Sequence, residues 1–321
     1  MNSEIPSVQK VKDELNKYYC LNIQKVAYLG KSDNVTYCIH TKDENKFLLK
    51  LHMGSNSKNM IVSELLWLES LETNTILKVQ RPIRNKNNEL TTNIINENTG
   101  NSSYWTLQDW LEGETLKRQP TDMELEKLAH LMVTLHEHTV RWNVPGTFER
   151  PYYNDENLLY SLNQLKQLLY INVMSTDDYE IMKKTTDKIL TIIKSQHLGC
   201  DTWGVIHSDL HESNYIFCQG QAFAIDFSSC GFGFYLFDIA ETCLHLIPEN
   251  RKKLITFYQK ERNLQKNYPE VLEAFFLWAI IRNFAFLSIN NDEHKELANA
   301  IPFIVEKFCI KYLKGESFMF S

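Results

Sequence analysis

The spacing of hydrophobic residues divides the chain into a strand-rich first part and a helical second part. Apolar positions recur at helical spacing in residues 7–19 and 59–71. Short apolar and β-branched runs predict strands at residues 24–29, 35–40, 46–52, 77–80, 93–96 and 104–111. From residue 122 onward helical spacing dominates, apart from short strand-like runs at 205–206, 215–217 and 222–225. The pattern therefore predicts an α+β chain, with a small β-rich region followed by a larger, mostly helical one.

The most apolar stretch of the chain covers residues 271–289. Glu273 and Arg282 interrupt it. A membrane-spanning helix needs about 20 residues with few or no charges. The stretch therefore predicts a buried core helix, and we expect no membrane association.

Residues 207–214, which read His-Ser-Asp-Leu-His-Glu-Ser-Asn, carry the most informative motif. Asp226 follows twelve residues after Asn214, behind a short apolar run. Phosphoryl transfer needs a carboxylate to orient the attacking hydroxyl, and an Asn and an Asp to hold magnesium ions that neutralise the phosphates. Asp209, Asn214 and Asp226 are these three residue types, in the order and with the D-x4-N spacing found in kinases.

Other interpretations of the motif remain open. His207, Asp209 and His211 have the residue types of a hydrolase metal site. Asp and Asn are also common in turns without any chemical role. The pairing of the motif with Asp226 favours phosphoryl transfer, and a non-catalytic kinase-like module would typically lack at least one of the catalytic residues.

The motif resembles the catalytic loop of the aminoglycoside phosphotransferase and choline kinase-like family, which usually reads H-G-D-L-H-x-x-N. Residues 225–227, 231–233 and 237–240 resemble the I-D-F…G…D-L-A run of the same family. Ser208 departs from the family pattern, because glycine is usual there. The resemblance implies a bilobal protein kinase-like fold, with a nucleotide-binding lobe in residues 1–111 and a helical catalytic and substrate lobe in residues 112–321.

The resemblance also implies nucleotide contacts in the first lobe. Lys50 would contact the phosphates and Glu64 would pair with it, as the lysine and glutamate of kinases do. The remaining candidates are two residues of a phosphate-covering loop and two hinge residues whose backbone would bind adenine: Ser32, Asn34, Asp109 and Leu111. Each has a simpler alternative, since the loop suits an ordinary hairpin turn and Lys50 suits a sheet edge from which its amine reaches solvent.

By the same resemblance the phosphate donor is ATP with Mg²⁺, the metal ligands are Asn214 and Asp226, and the catalytic residue is Asp209. The acceptor is expected to be a hydroxyl of a small molecule, such as an antibiotic, an amino alcohol, an amino acid or a sugar. A protein serine or threonine remains an alternative. Asp238 is expected to order the catalytic loop, although Asp238, Glu241 and Asp155 would also suit a cationic, amine-bearing acceptor.

Composition limits the partners and the compartment. The net charge of −6 over 321 residues disfavours a nucleic-acid partner. Seven cysteines without a C-x-x-C motif argue against a disulfide framework and favour a reducing compartment. Residues 1–12 are polar and of mixed charge, unlike a signal peptide. We therefore expect a cytoplasmic protein, and the sequence leaves its oligomeric state open.

Overall fold

The computed structural model describes residues 5–31, 34–52, 57–95, 100 and 102–320. The chain divides into two compact units. Unit 1 contains Met1–Gly113 and Trp142–Arg150, and unit 2 contains Glu114–Arg141 and Pro151–Ser321. The segment Trp142–Arg150 thus joins the first unit, although it follows the first helix of the second. Its place is held by contacts with residues near position 60, where the Glu149 amide donates to the Ser63 hydroxyl at 2.8 Å.

Unit 1 is built on an antiparallel sheet. Its described helices and strands are α1 Val8–Tyr18, β1 Ile23–Lys31, β2 Asn34–Thr41, β3 Lys46–His52, α2 Lys58–Asn74, β4 Pro82–Ile83, β5 Thr92–Ile95 and β6 Ser102–Asp109. The strand order is β1-β2-β3-β6-β4, and β5 also pairs with β6. Every pairing in this sheet is antiparallel. Short connections join β1 to β2 and β2 to β3, whereas α2, β4 and β5 lie between β3 and β6 along the chain.

The centre of this sheet is almost completely buried. Leu49, Leu51 and Leu107 have no solvent exposure. Strand β3 departs from the usual alternation of buried and exposed residues, because its last five residues are all buried. Lys50 lies within that buried run, between Leu49 and Leu51. A charged side chain at such a position needs a partner, which bears directly on the candidate site.

The predicted strand at residues 77–80 is wrong. Leu77 and Val79 are buried as a strand pattern predicts. However, the Arg81 amide donates to the Val79 carbonyl at 2.8 Å, which makes a tight turn there. Sheet pairing begins only afterwards, at β4. The apolar pattern of this segment therefore reflects the burial of its side chains and not the hydrogen bonding of a strand.

Unit 2 is mainly helical. Its described helices are α3 Asp122–Arg141, α4 Asp155–Tyr170, α5 Thr176–Ser195, α6 Tyr235–Leu244, α7 Pro248–Glu261, α8 Tyr268–Leu287, α9 His294–Ile304 and α10 Ile310–Lys314. A π-helical turn at Val305–Cys309 connects the last two helices. The strands are β7 Trp203–Ile206, β8 Tyr215–Cys218, β9 Gln221–Ala224 and β10 Gly231–Phe234. The succession of a strand-rich and then a helical region is as the sequence predicts.

Helix α8 forms the core of unit 2. Its buried residues lie on all sides, as expected for a helix without a polar face. Trp278 packs against Phe237 of α6 with ring centroids 4.3 Å apart. The apolar run 271–289 is thus a core helix, as predicted. In the part of the chain that the structure describes, no helix has the length and apolar character needed to span a membrane.

Two antiparallel strand pairs hold the motif-bearing loops of unit 2. Strand β7 pairs with β10, and β8 pairs with β9. The catalytic-motif loop connects β7 to β8, and the segment containing Asp226 connects β9 to β10. Because each loop is fixed at both ends by a short strand, their side chains can be held in defined positions.

Leu49 allows the packing of unit 1 to be tested. Leu49→Ala should lower the free energy of unfolding by about 2–5 kcal/mol, since it opens a cavity at a fully buried position of the sheet. The matched control Ile76→Ala removes a side chain that is 85% exposed and should change stability by less than about 0.5 kcal/mol. Urea denaturation followed by circular dichroism measures both. Equal losses in the two variants would contradict the described core.

Candidate active site

The catalytic-motif loop brings Asp209 and Asn214 together. The Asn214 side-chain amide donates to the Asp209 carbonyl at 2.9 Å and to its carboxylate Oδ2 at 3.0 Å. The Asp209 side chain remains 35% exposed, whereas Asn214 is buried. Asp209 is therefore oriented by a fixed donor while its carboxylate still reaches solvent, which suits a group that must meet a substrate hydroxyl.

The segment containing Asp226 is tied to the same loop through one residue. The Ile225 amide donates to the Asn214 carbonyl at 2.9 Å, and the Ile225 carbonyl accepts from His207 Nε2 at 3.1 Å. Asp226 itself has a left-handed backbone with φ 58°, a conformation that Asp adopts more readily than most residues. The Ser228 hydroxyl donates to Asp226 Oδ1 at 2.6 Å. These bonds bring the predicted metal-binding pair onto adjoining backbone segments.

The chemistry of this pair fits a magnesium ion. Mg²⁺ prefers oxygen ligands, chiefly carboxylates. Asp226 supplies a carboxylate, and Asn214 has its amide nitrogen committed to Asp209, so its oxygen is the atom available for a cation. The alternative cluster of His207, Asp209 and His211 is not formed, because His207 is buried and bonded to Ile225. No group of three His, Cys, Asp or Glu side chains within the described residues is arranged to hold a metal.

Asp238 braces the catalytic loop from α6. Its carboxylate accepts the Ser208 amide at 2.6 Å, the His207 amide at 3.3 Å and His136 Nε2 at 3.0 Å. The side chain has no solvent exposure. Burial raises the pKa of the Asp238 carboxyl, but its hydrogen bonds, first among them the one from His136, outweigh burial and leave the pKa below its usual value. The supporting role predicted for Asp238 agrees with this geometry.

His136 completes the brace in the neutral form. Burial lowers the pKa of its imidazole. Since Asp238 is ionised, His136 donates from Nε2 to the carboxylate, and its Nδ1 then accepts from the Tyr258 hydroxyl at 2.8 Å. Tyr258 is fully buried and burial raises the pKa of its phenol, so it stays protonated. The chain from Tyr258 to Asp238 thus has one consistent set of donors and acceptors.

Glu241 and Asp238 do not suit direct contact with a cationic acceptor. Glu241 is 3% exposed and pairs with Arg282 of α8, with its Oε1 2.6 Å from Nη2. Arg282 also donates to the Ser208 carbonyl at 2.7 Å. Both acids are thus occupied in holding the interior of unit 2, and the possibility that they bind an acceptor directly is wrong for that reason.

In unit 1 the predicted pair of Lys50 and Glu64 is formed. Lys50 Nζ lies 3.5 Å from Glu64 Oε1, and the two side chains are 4% and 3% exposed. The alternative of a lysine at a sheet edge that reaches solvent is therefore wrong. Each of these buried charges therefore has a partner of opposite sign in the interior of unit 1.

The other nucleotide candidates differ in what the structure shows of them. Ser32 lies outside the described residues. Asn34 begins β2 and is 8% exposed. Asp109 ends β6, where its amide donates to the Arg81 carbonyl at 2.8 Å and its carboxylate pairs with the Arg81 side chain at 2.8 Å. Because its amide is already bonded, the carbonyl oxygen is the backbone atom through which Asp109 could bind adenine. Leu111 follows the strand and is partly buried.

Sequence reasoning missed two residues of this site. These are His136 and Arg282, and the sequence shows the second only as an interruption of an apolar stretch. A charged residue inside a buried helix was the available signal for Arg282, because such a charge needs a buried partner. His136 gave no local signal, since its partner Asp238 lies 102 residues away.

Solved structures share this fold. The structure of a microcompartment-associated aminopropanol kinase has a TM-score of 0.82 and 18% identity, covering 98% of this chain and 100% of that one. An amicoumacin kinase in complex with AMP-PNP, Ca²⁺ and Ami has a TM-score of 0.77 and 18% identity, covering 94% of each chain. The predicted kinase-like α+β fold is therefore confirmed.

The family follows from a match to the sequence itself. The model of the phosphotransferase enzyme family (APH) matches residues 26–274, and the chain belongs to that family. An amicoumacin kinase of Bacillus subtilis (strain 168) is 22% identical over 236 residues. That match covers 72% of this chain and 66% of the relative. The family predicted from the catalytic motif is thereby confirmed.

Glu241 should make stability depend on pH. Burial raises the pKa of its carboxyl to about 7; Arg282 opposes this and the charge of Asp209 adds to it. The folded pKa exceeds the ordinary value of 4.5, so Glu241 favours the folded state at low pH, and this contribution is lost as pH rises from 4.5 to about 7. At about 1.4 kcal/mol per pKa unit the loss is at most about 3.5 kcal/mol.

The free energy of unfolding, measured against pH for the wild type and for Glu241→Gln, checks this. The difference between the two curves should fall between pH 4.5 and 7 and then become flat. Glu306→Gln, at an exposed position, is the control. The difference between its curve and that of the wild type should stay flat over the same pH range. Parallel curves for the wild type and Glu241→Gln would contradict a raised pKa of the Glu241 carboxyl in the folded protein.

Proposed function

We propose that this protein is an ATP-dependent phosphotransferase that transfers the γ-phosphate to a hydroxyl of a small molecule. The observation that carries the proposal is a pair of hydrogen bonds made by the backbone of Ile225. Its amide donates to the Asn214 carbonyl, and its carbonyl accepts from His207 Nε2. These bonds hold the loop with the candidate base Asp209 next to the segment with the candidate metal ligand Asp226. Phosphoryl transfer depends on such positioning more than on covalent chemistry.

Asp209 is the proposed catalytic residue. Its carboxylate accepts a hydrogen bond from the acceptor hydroxyl and directs that oxygen toward the γ-phosphorus. The new bond joins the acceptor oxygen to phosphorus while the bond between phosphorus and the oxygen of ADP breaks. The hydroxyl proton passes to Asp209 and then to solvent, which its 35% exposed side chain reaches.

The phosphates of ATP would be bound by fixed charges. Lys50, held by Glu64, offers an ammonium group to the phosphate oxygens. Mg²⁺ bound by Asn214 and Asp226 would neutralise phosphate charge. Asn34, the Asp109 carbonyl and the Leu111 backbone are the further nucleotide contacts that we propose, together with Ser32. The amicoumacin kinase solved with AMP-PNP and Ca²⁺ supports a nucleotide with a divalent cation as the donor.

The acceptor is proposed to be an amino alcohol or an amine-bearing antibiotic. Two partly exposed acids flank His211 on the loop, since the side chains of Asp209 and Glu212 are 35% and 46% exposed. His245 lies 2.9 Å from Glu212, and burial lowers the pKa of its imidazole, so it adds little positive charge at neutral pH. An ammonium group on the acceptor would complement this negative surface. The related aminopropanol kinase and amicoumacin kinase support this class of acceptor.

Seven free cysteines support a reducing compartment, and we place the reaction in the cytoplasm on that basis. Three of these thiols, those of Cys230, Cys243 and Cys309, are completely buried. They are therefore part of the packing of unit 2 in their reduced form.

Two substitutions separate catalysis from nucleotide binding. Asp209→Asn should lower kcat by about 10²–10⁴-fold, because the amide cannot take the proton. It should leave the rise in melting temperature with ATP and Mg²⁺ nearly intact, since Asp209 faces the acceptor. Asp226→Asn should reduce both turnover and that rise, because it removes a proposed metal ligand. Turnover is measured with a panel of amino alcohols, amine-bearing antibiotics and sugars, by mass spectrometry of the phosphorylated product.

Asp187→Asn provides the matched control, because Asp187 is exposed on α5 and outside the site. It should behave as the wild type in both assays. Full activity of Asp209→Asn would refute its role as the base. Phosphorylation of protein serine or threonine without any small phosphorylated product would refute the small-molecule acceptor.

A further inference from the structure

Ser208 has a backbone conformation that normally favours glycine. Its φ is 61°, in the left-handed region, and it has no solvent exposure. A serine there keeps a Cβ that crowds the backbone, and glycine would adopt the same conformation freely. The side chain must therefore contribute something that a glycine at position 208 would lack.

Every polar atom of Ser208 has a partner. Its amide donates to Asp238 at 2.6 Å, and its carbonyl accepts from Arg282 at 2.7 Å. These two bonds involve backbone atoms and would survive a change to glycine. The hydroxyl makes two more bonds, donating to the Ser229 carbonyl at 2.6 Å and accepting from Arg282 Nη1 at 3.3 Å. Only these last two depend on serine.

The bond from the Ser208 hydroxyl to the Ser229 carbonyl joins the loop containing Asp209 to the segment containing Asp226. It joins them after Asp226 in the sequence, whereas the bonds of Ile225 join them before it. Ser208 immediately precedes Asp209, and Ser229 lies three residues after Asp226. The Ser229 carbonyl also accepts from the Tyr153 hydroxyl at 2.5 Å, which fixes its direction. The segment containing Asp226 is thus tied before the acid by Ile225 and after it by Ser208.

Arg282 supplies a rigid support for this hydroxyl. Its guanidinium is anchored by Glu241 at 2.6 Å. It also lies over the rings of Tyr153 and Phe237, 5.2 Å and 5.7 Å from their centroids. A planar guanidinium held by an ion pair and two rings has little freedom, so its two donors to Ser208 keep a constant geometry.

We propose that the Ser208 hydroxyl is a positioning group that sets the placement of Asp209 relative to Asp226 by joining their loops. This proposal rests on the proposed function, which gives Asp209 and Asp226 their roles. Ser208 itself contacts neither substrate nor metal. It acts through the two backbone segments, and a displacement of about 1 Å between such groups can cost up to about 100-fold in rate.

The test compares Ser208→Gly with Ser208→Ala. Both variants lack the hydroxyl, and both should lose about 10- to 100-fold in kcat with the KM for ATP and for the acceptor changed by less than about twofold. Only the alanine variant keeps the crowded Cβ, so it should melt at a lower temperature than the glycine variant. The two variants would then have a similarly reduced kcat, because both lack the hydroxyl, but different melting temperatures, because only one keeps the Cβ. A purely structural role of Ser208 would make kcat and the melting temperature change together.

Ser161→Ala is the matched control. Ser161 is also buried and donates its hydroxyl to a backbone carbonyl, that of Asn157 at 2.9 Å, but within α4. Its loss should leave kcat unchanged. A Ser208→Gly variant with the kcat of the wild type would overturn the proposal.

Hydrogen exchange gives a readout that needs no turnover. In Ser208→Gly the amides of residues 205–214 and of residues 224–230 should exchange faster together, because the tie between the segments is lost. Unchanged exchange in residues 224–230 would overturn the proposal even if kcat fell. If the wild type phosphorylated no acceptor, the proposed function would fail, while joint acceleration of exchange would still support the tie made by Ser208.

Discussion

The buried carboxylate of Asp238 is the constraint on which the catalytic loop depends. A carboxylate without solvent must find donors inside the protein, and leaving it unpaired would cost several kcal/mol. Its donors are the backbone amides of His207 and Ser208 and the ring of His136. Because two of these three donors belong to the loop backbone, the loop must keep both amides directed at Asp238. The conformation that does this includes the left-handed backbone at Ser208, immediately before Asp209.

Helix α8 provides the second constraint, by a different physical route. Its apolar residues fill the core of unit 2, and this packing fixes the helix in place. Arg282 is thereby held largely buried, with a side chain 14% exposed. A buried ion pair contributes little net stability, because desolvation offsets its attraction. The pair with Glu241 is better understood as a device for orientation, since Arg282 directs two donors at Ser208.

The sequence predicts what depends on neighbours along the chain. The motif around Asp209 is contiguous, and the family that it predicts is confirmed. The apolar stretch at residues 271–289 is also contiguous, and the predicted core helix corresponds to α8. The support that Arg282 gives to Ser208 was not predictable in the same way, because the two residues are 74 positions apart in the chain. Hydrophobic patterning also failed at residues 77–80, where side chains are buried but the backbone turns and does not form the predicted strand. The sequence also left undecided whether Lys50 is buried. A strand lies at the edge or in the middle of a sheet according to its pairing with strands that are distant in the chain.

The same division explains why the reaction class is easier to infer than the acceptor. Moving a phosphoryl group requires the same few charges whatever the acceptor, so those residues form a compact, recognisable motif. Their supports, such as Asp238 and Glu241, are buried and therefore cannot select a substrate. The partly exposed Glu212 and His245, which lie 2.9 Å from each other, are the groups that we propose for selection. These have no fixed chemical requirement, and a change of acceptor can alter them without disturbing the buried bonds that hold the loop.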